Sequence, residues 1–290
     1  MLDFVIGELS RCRTANEVRR VQVMLANELA PIEVAALAAA MRTGHAGAYG
    51  STERFLSGLE SMLGLATQRP QPFVRQVVAP GVLRYAAPGT ENEKARRTLV
   101  VAFTGAAFRL MLPIAVVLQN LDADRHDLLL LFDRARTQFL GGVPGVADDL
   151  PALVAALDRL ADFGRYRRLV FLGTSAGGLP ALYAAIEARA ARGVSVGGSV
   201  PDDIPQRVQT RDTDLAPLRA ALARSRGGTT ELVCVCGERH ARDRGNAYWY
   251  AANAGAAVVE VPGYADHNVL QGVFDAGNLR AFLARLVDEG

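Results

Sequence analysis

Apolar positions in the N-terminal quarter of the chain recur every three or four residues, and this spacing predicts helices. Thr14 and Glu17 form a capping-box pattern ahead of an apolar stripe, which marks the start of one helix. Two further helices are expected around Pro31–Met41 and Ser51–Leu65. We therefore predict that residues 1–71 form a helical extension.

After Pro72 the pattern changes to short segments rich in β-branched residues. Phe73–Val78 and Val82–Tyr85, separated by a Pro-Gly pair, predict a β-hairpin. Short apolar runs then follow, each of the length expected for a strand that is buried on both faces. These runs are Leu99–Phe103, Leu128–Phe132, Leu169–Leu172, Val194–Gly198, Leu232–Cys236 and Val258–Val261.

Segments with helical periodicity lie between and after these runs. They are Leu112–Asn120, Asp149–Phe163, Gly177–Ala191, Leu215–Arg224, Asn246–Ala254 and Asn278–Asp288. Strand and helix signals that alternate in this way predict an α/β fold with a mainly parallel, doubly wound sheet. We assign residues 72–290 to this domain.

The composition excludes several classes of protein. The chain has 290 residues, of which 50% are hydrophobic, and a net charge of +2, as expected for a folded globular protein with a large core. A charge so close to zero does not provide the basic face that nucleic acids require. The most apolar window, Leu99–Gln119, is interrupted by Gly105, Arg109 and Pro113, and we interpret it as strand, loop and helix rather than a membrane span.

The three cysteines, Cys12, Cys234 and Cys236, form neither a disulfide framework nor a CxxC pair. The N-terminal residues lack the basic start and long apolar stretch of a secretion signal. We therefore expect a reducing, cytoplasmic setting.

A candidate nucleophile follows the predicted strand Leu169–Leu172. Residues 173–177 read Gly-Thr-Ser-Ala-Gly, a G-x-S-x-G motif between a strand and a helix. The serine of such a motif sits on a tight turn, and its neighbours two residues away must be nearly free of side chain. This turn would expose Ser175 above the carboxyl edge of the sheet and direct the Ala176 amide at an oxyanion. The alternative is an ordinary glycine-rich turn between a strand and a helix, in which the serine has no catalytic role.

A hydroxyl nucleophile needs a base, and the chain has four histidines. We expect His45 and His126 to be surface residues, while His240 lies in a charged loop. His267 follows the last predicted strand and therefore lies on the same edge of the sheet as Ser175. His267 is the candidate base.

The nucleophile-turn motif, the number of strands before it and the order serine, acid, histidine resemble the α/β-hydrolase fold, over roughly Pro72 to the C-terminus. The resemblance implies a catalytic acid after the strand Leu232–Cys236, where Asp243 and Glu238 are the carboxylates. We rank Asp243 first because it precedes the predicted helix near Asn246 and could reach the histidine ring. The acid position usual in the family is occupied here by His240.

The resemblance also implies a second oxyanion amide just after the strand Leu99–Phe103, and Ala106 would supply it. Arg109 in the same loop could reach an anionic group of the substrate, although an outward-facing arginine is the plainer interpretation. Asp133, after the next strand, matches a position that supports loop structure.

These residues together predict a serine hydrolase of carboxylic esters or thioesters that uses Ser175, His267 and Asp243, with a small-molecule acyl ester as its substrate. Two alternatives remain at this point: an O-acyltransferase with an alcohol acceptor such as a saccharide, and a non-catalytic module that binds a protein partner or itself through the N-terminal helices. No nucleotide-binding motif and no zinc-ligand spacing occurs, so we expect neither cofactor nor metal.

Overall fold

Helices form the N-terminal part of the chain, as the spacing of its apolar residues predicts. In this computed structural model, which describes residues 2–44, 50–204 and 215–289, the helices are α1 Leu2–Arg11, α2 Ala15–Glu28, α3 Pro31–Gly44 and α4 Gly50–Met62. The capping box at the start of α2 is formed in both directions between Thr14 and Glu17. His45 lies outside the described residues.

The rest of the chain is built around one eight-stranded sheet with the order β1-β2-β4-β3-β5-β6-β7-β8. The pairs β1–β2 and β2–β4 are antiparallel and all other pairs are parallel. The strands are β1 Val74–Ala79, β2 Val82–Ala86, β3 Thr98–Phe103, β4 His126–Leu131, β5 Arg168–Thr174, β6 Arg192–Val196, β7 Glu231–Gly237 and β8 Ala257–Val261. The mainly parallel sheet that the sequence predicts is confirmed.

Helices connect the strands and cover both faces of the sheet. They are α5 Ile114–Gln119, α6 Leu150–Ala161, α7 Gly178–Glu187, α8 Ala216–Ser225, α9 Ala241–Ala254, α10 Val269–Asp275 and α11 Leu279–Val287. Within the described ranges, no helix combines the length and apolarity that a membrane crossing requires.

The alternation of side chains along each strand divides the core into two layers. Val100 and Ala102 of β3 pack in the layer that contains the N-terminal helices, α5, α10 and α11. Leu99, Val101 and Phe103 of the same strand pack with α6, α7, α8 and α9. The N-terminal helices therefore share one hydrophobic core with the sheet.

The strand register sets which loops meet at the carboxyl edge of the sheet. Phe103 of β3 pairs with Gly173 of β5, and Thr174 pairs with Val196 of β6. On the far side, Gly237 of β7 pairs with Val261 of β8. The loops after β3, β5, β6, β7 and β8 therefore all leave the sheet at one edge.

Beyond shifts of a few residues in the element bounds, three features differ from the sequence prediction. Helix α9 begins at Ala241 rather than near Asn246, because the His240 ring, and not a typical capping side chain, accepts the Asp243 N–H. A short helix, α10, precedes the predicted last one. His126 is buried, with 2% of its surface exposed, and its two ring nitrogens bond the Asp122 carbonyl and the Asp288 carboxylate.

Candidate active site

Ser175 occupies the sharp turn between β5 and α7. Its φ angle is +52°, in the left-handed region that residues with a side chain rarely adopt. A short 3-10 turn, Ser175–Gly177, leads directly into α7. The turn lifts the serine hydroxyl off the end of the strand, as the motif predicts.

The glycines around Ser175 are required by close packing. A Cβ at Gly173 would collide with the Gly177 carbonyl oxygen, and one at Gly177 would collide with the Phe103 carbonyl oxygen. Only glycine lets the backbone of the turn pass so close to β3. The local sequence and the neighbouring strand therefore fix the position of Ser175 together.

His267 reaches Ser175 from the loop that follows β8. Its Nε2 atom lies 2.9 Å from the serine Oγ, within hydrogen-bond distance. The side chain is 40% exposed, so one side of the ring is open to an incoming molecule. The structure thus brings together two residues that are 92 positions apart in the chain.

Asp243 lies on the other side of the His267 ring. Its Oδ2 atom is 2.7 Å from His267 Nδ1, and the residue is only 4% exposed. Glu238, the alternative acid, instead accepts a hydrogen bond from the Gly263 N–H at 2.6 Å. Of the two carboxylates, the structure joins Asp243 to the histidine.

The Asp243 carboxylate changes the protonation of His267. Hydrogen bonding to Asp243 raises the pKa of His267 above its usual 6.5, against burial, which lowers it; the charges of Asp243 and Asp266 also raise it. The same hydrogen bond holds the proton of a neutral ring on Nδ1, and Nε2 is then free to accept the serine proton.

His240 completes a group of three polar side chains at this end of the sheet. Its Nδ1 atom accepts the Asp243 N–H at 3.2 Å, which caps α9 and holds Asp243 in the first turn of that helix. The ligand atoms of His240, Asp243 and His267 all lie within 4.8 Å of one another, a spacing that could hold a metal ion. Asp243 bonds both of its neighbours in this cluster, because its N–H donates to His240 Nδ1 and its carboxylate accepts a hydrogen bond from His267 Nδ1.

The loop after β3 lies beside the Ser175 turn. The Gly105 N–H donates to the Arg109 carbonyl at 3.0 Å, and the Thr174 hydroxyl donates to the same carbonyl at 3.3 Å. Among the described residues the Ala106 N–H has no backbone acceptor, and both Ala106 and Ala176 line one cavity next to the serine. The two residues that the sequence suggests as oxyanion donors therefore line the same cavity.

Helix α2 supports this loop, which the sequence did not indicate. The side-chain amide of Asn27, only 5% exposed, donates to the Ala107 carbonyl at 3.1 Å. The only sequence signal is a polar residue that directly follows Leu25 and Ala26 in a predicted helix. Helix α2 therefore contacts the loop that carries Ala106.

Gly197, at the end of β6, is a second residue that the sequence did not single out. Its φ angle is +60°, and a Cβ there would lie 3.0 Å from Asp243 Oδ2 and 3.1 Å from the His267 ring. A side chain would push against the hydrogen bond between Asp243 and His267. The glycine pair at the end of the predicted strand Val194–Gly198 is the signal that could have identified it.

The cysteines provide no competing nucleophile in the core. Cys234 and Cys236 are free thiols within β7, and burial raises the pKa of both, to about 11 for Cys236. Buried thiols with such pKa values remain protonated and unreactive at neutral pH.

Comparisons with known proteins identify the architecture. No protein-family model matches the sequence, and no curated protein matches it significantly. The structure is similar to that of FphF, a fluorophosphonate-binding serine hydrolase of Staphylococcus aureus, with a TM-score of 0.50, 12% identity and coverage of 76% of this chain and 100% of that one. It is also similar to carboxyl esterase 2 of Tuber melanosporum, with a TM-score of 0.50, 13% identity and coverage of 74% and 86%. At these identities the likeness concerns the fold alone.

Proposed function

Because the chain has the α/β-hydrolase fold, we propose that it is a serine hydrolase that cleaves carboxylic esters or thioesters through an acyl-enzyme on Ser175. The observation that carries the proposal is the chain of hydrogen bonds from Asp243 through His267 to Ser175. Nucleophile, base and orienting acid in such a chain are what acyl transfer to a serine requires.

The reaction would proceed in two halves. His267 Nε2 takes the proton of Ser175 Oγ as the oxygen attacks the ester carbonyl, and the same proton then goes to the leaving alcohol or thiol. Water attacks the acyl-enzyme in the second half, again with His267 as base, and releases the acid and the free serine.

Two charges develop during this reaction, a negative charge on the substrate oxygen and a positive charge on the His267 ring, and each has a group of the protein beside it in this proposal. The Ala176 and Ala106 amides would donate to the oxyanion of each tetrahedral intermediate. Asp243 would stabilise the imidazolium that forms when His267 takes up the proton. We assign no step to Glu238.

Labelling with an alkyl fluorophosphonate tests the assignment of the nucleophile. We expect one adduct, on the peptide that contains Ser175, because an activated serine attacks the phosphorus atom as it would a carbonyl carbon. Mass spectrometry of the digested protein locates the adduct, and heat-denatured protein serves as the control. A folded protein that stays unlabelled and hydrolyses no p-nitrophenyl ester of any chain length would overturn the proposal.

Acidification is expected to lower kcat/KM as His267 becomes protonated. Only the neutral ring accepts the serine proton, and hydrogen bonding to Asp243 raises the pKa of His267, so the midpoint should lie above 6.5. The measurement is kcat/KM for a p-nitrophenyl ester between about pH 5 and about pH 9, with circular dichroism at each pH as a check on folding. A rate that does not change with pH, or that rises on acidification, contradicts the role of His267.

A further inference from the structure

A cavity of about 440 Å³ opens beside the Ser175 turn. It is lined by residues of the loop after β3, by residues of the loop after β4 and by Ala176 in the nucleophile turn. Its volume lies within the usual range for small-ligand sites. Because both proposed oxyanion donors line it, a group held here would be close to the scissile carbonyl.

The loop after β4 is held in a strained conformation. Arg136, Gln138 and Phe139 have φ angles of +57°, +55° and +61°. The buried carboxylate of Asp133 accepts the Phe139 N–H at 3.1 Å and the Thr137 hydroxyl at 3.5 Å, which ties the two ends of the loop together. Strain of this kind persists where the surroundings impose it, as they do in ligand clamps.

Two residues of this loop, Arg136 and Gln138, line the cavity and carry polar groups without an ionic or hydrogen-bonding partner among the described residues. The Gln138 Oε1 atom is buried and has no hydrogen-bond partner among the described residues. The Arg136 guanidinium lies over the Phe108 ring, 5.3 Å from its centre, and no carboxylate of the described chain pairs with it. An unpaired buried acceptor is unfavourable, so a ligand that supplies a donor would stabilise it.

We propose that this cavity, hereafter the Arg136 subsite, binds an anionic group of the substrate, and that the preferred substrates are esters with a carboxylate near the scissile carbonyl. The inference rests on the proposed function and adds the substrate class. The planar guanidinium of Arg136 fits a carboxylate in two parallel hydrogen bonds. Gln138 accepts a hydrogen bond from a hydroxyl or amide N–H of the same substrate.

Asp133 also lines the cavity, but its carboxylate forms no ion pair with Arg136. Its two carboxylate oxygens face the Phe139 N–H and the Thr137 hydroxyl within the loop, and the residue is 6% exposed. Among the residues that line the cavity, Arg136 is the one cationic side chain, and no carboxylate of the described residues pairs with it.

Arg109, which the sequence suggested for such a role, does not line the cavity. Its backbone carbonyl is held by Gly105 and Thr174 instead. The anion-binding residue thus comes from the loop after β4 and not from the loop after β3.

The test compares two p-nitrophenyl esters of similar size: the neutral butyrate and the glutarate monoester, which carries a free carboxylate. The wild-type protein is expected to have the higher kcat/KM for the anionic ester. In Arg136→Gln the ratio of anionic to neutral kcat/KM should fall on the order of tenfold, since one charge-assisted contact is lost. Arg136→Lys should give an intermediate ratio.

Arg134→Gln is the matched control. Arg134 lies two residues away, is 66% exposed and is 3.6 Å from Glu28, outside the Arg136 subsite. Its removal should leave the ratio unchanged. An unchanged ratio in Arg136→Gln, or an equal fall in both variants, overturns the subsite.

Binding of free glutarate, measured by calorimetry, separates this inference from the proposed function. We expect wild-type protein to bind glutarate and Arg136→Gln to bind it on the order of tenfold more weakly. Glutarate binding without turnover of either ester supports the subsite and counts against the hydrolase. Turnover of the neutral ester with no glutarate binding supports the hydrolase and overturns the subsite.

Discussion

Replacing Ser175 with alanine is expected to lower kcat for ester hydrolysis by about a millionfold, the loss found when a serine hydrolase loses its nucleophile. Without Oγ no acyl-enzyme forms, and His267 loses the hydroxyl that lies 2.9 Å from its Nε2 atom. The remaining rate would come from the oxyanion amides acting on attack by water. The measurement is single-turnover and steady-state hydrolysis of a p-nitrophenyl ester.

Ser199→Ala is the control for this variant. Ser199 follows β6 at the same edge of the sheet, and the structure uses its backbone carbonyl, which accepts the Tyr250 hydroxyl at 2.6 Å. Its removal should preserve both turnover and fluorophosphonate labelling. If Ser175→Ala keeps more than about a hundredth of the wild-type kcat, which lies far above the residual rate expected without a nucleophile, the serine mechanism is wrong.

Replacing Asp243 with asparagine is expected to lower kcat by about four orders of magnitude. The asparagine amide would donate to His267 Nδ1 and shift the ring proton to Nε2, where it blocks acceptance of the serine proton. The variant also removes the hydrogen bond that is the main cause of the raised pKa of His267, so the acid limb of the pH profile should move to lower pH. Steady-state rates across the pH range measure both effects.

Glu238→Gln is the matched control, because Glu238 was the other acid that the sequence allowed. Its carboxylate bonds the Gly263 N–H, and loss of its charge leaves the His267 ring untouched. We expect kcat to change by no more than a few fold. The fold should be retained, because most surface substitutions have little effect on the free energy of unfolding. A large loss in Glu238→Gln together with near-normal Asp243→Asn would reverse the assignment. Thermal unfolding of each variant shows whether the fold is retained.

The elements with strong local patterns could be predicted from the sequence. The buried strands, the helix with its Thr14 capping box and the turn at Ser175 each depend on residues close in the chain, whose spacing limits the backbone directly. His267 could be placed because parallel strands bring their carboxyl ends to one edge.

Loop geometry could not be predicted in the same way. The choice between Asp243 and Glu238 depended on where α9 begins, and the cap that decides this is a histidine ring rather than a usual capping side chain. His126 was misplaced because its partner, Asp288, lies 162 positions away.

The sequence by itself determined the alternation of strands and helices, the nucleophile turn and the edge of the sheet where the chemistry would lie, since these follow from periodicity and short-range sterics. Only the tertiary structure decided that Asp243 meets His267, that Asn27 of the N-terminal helices holds the loop after β3, and that Arg136 rather than Arg109 lines the cavity. Each of these depends on contacts between distant segments, and such contacts exist only after the core has formed.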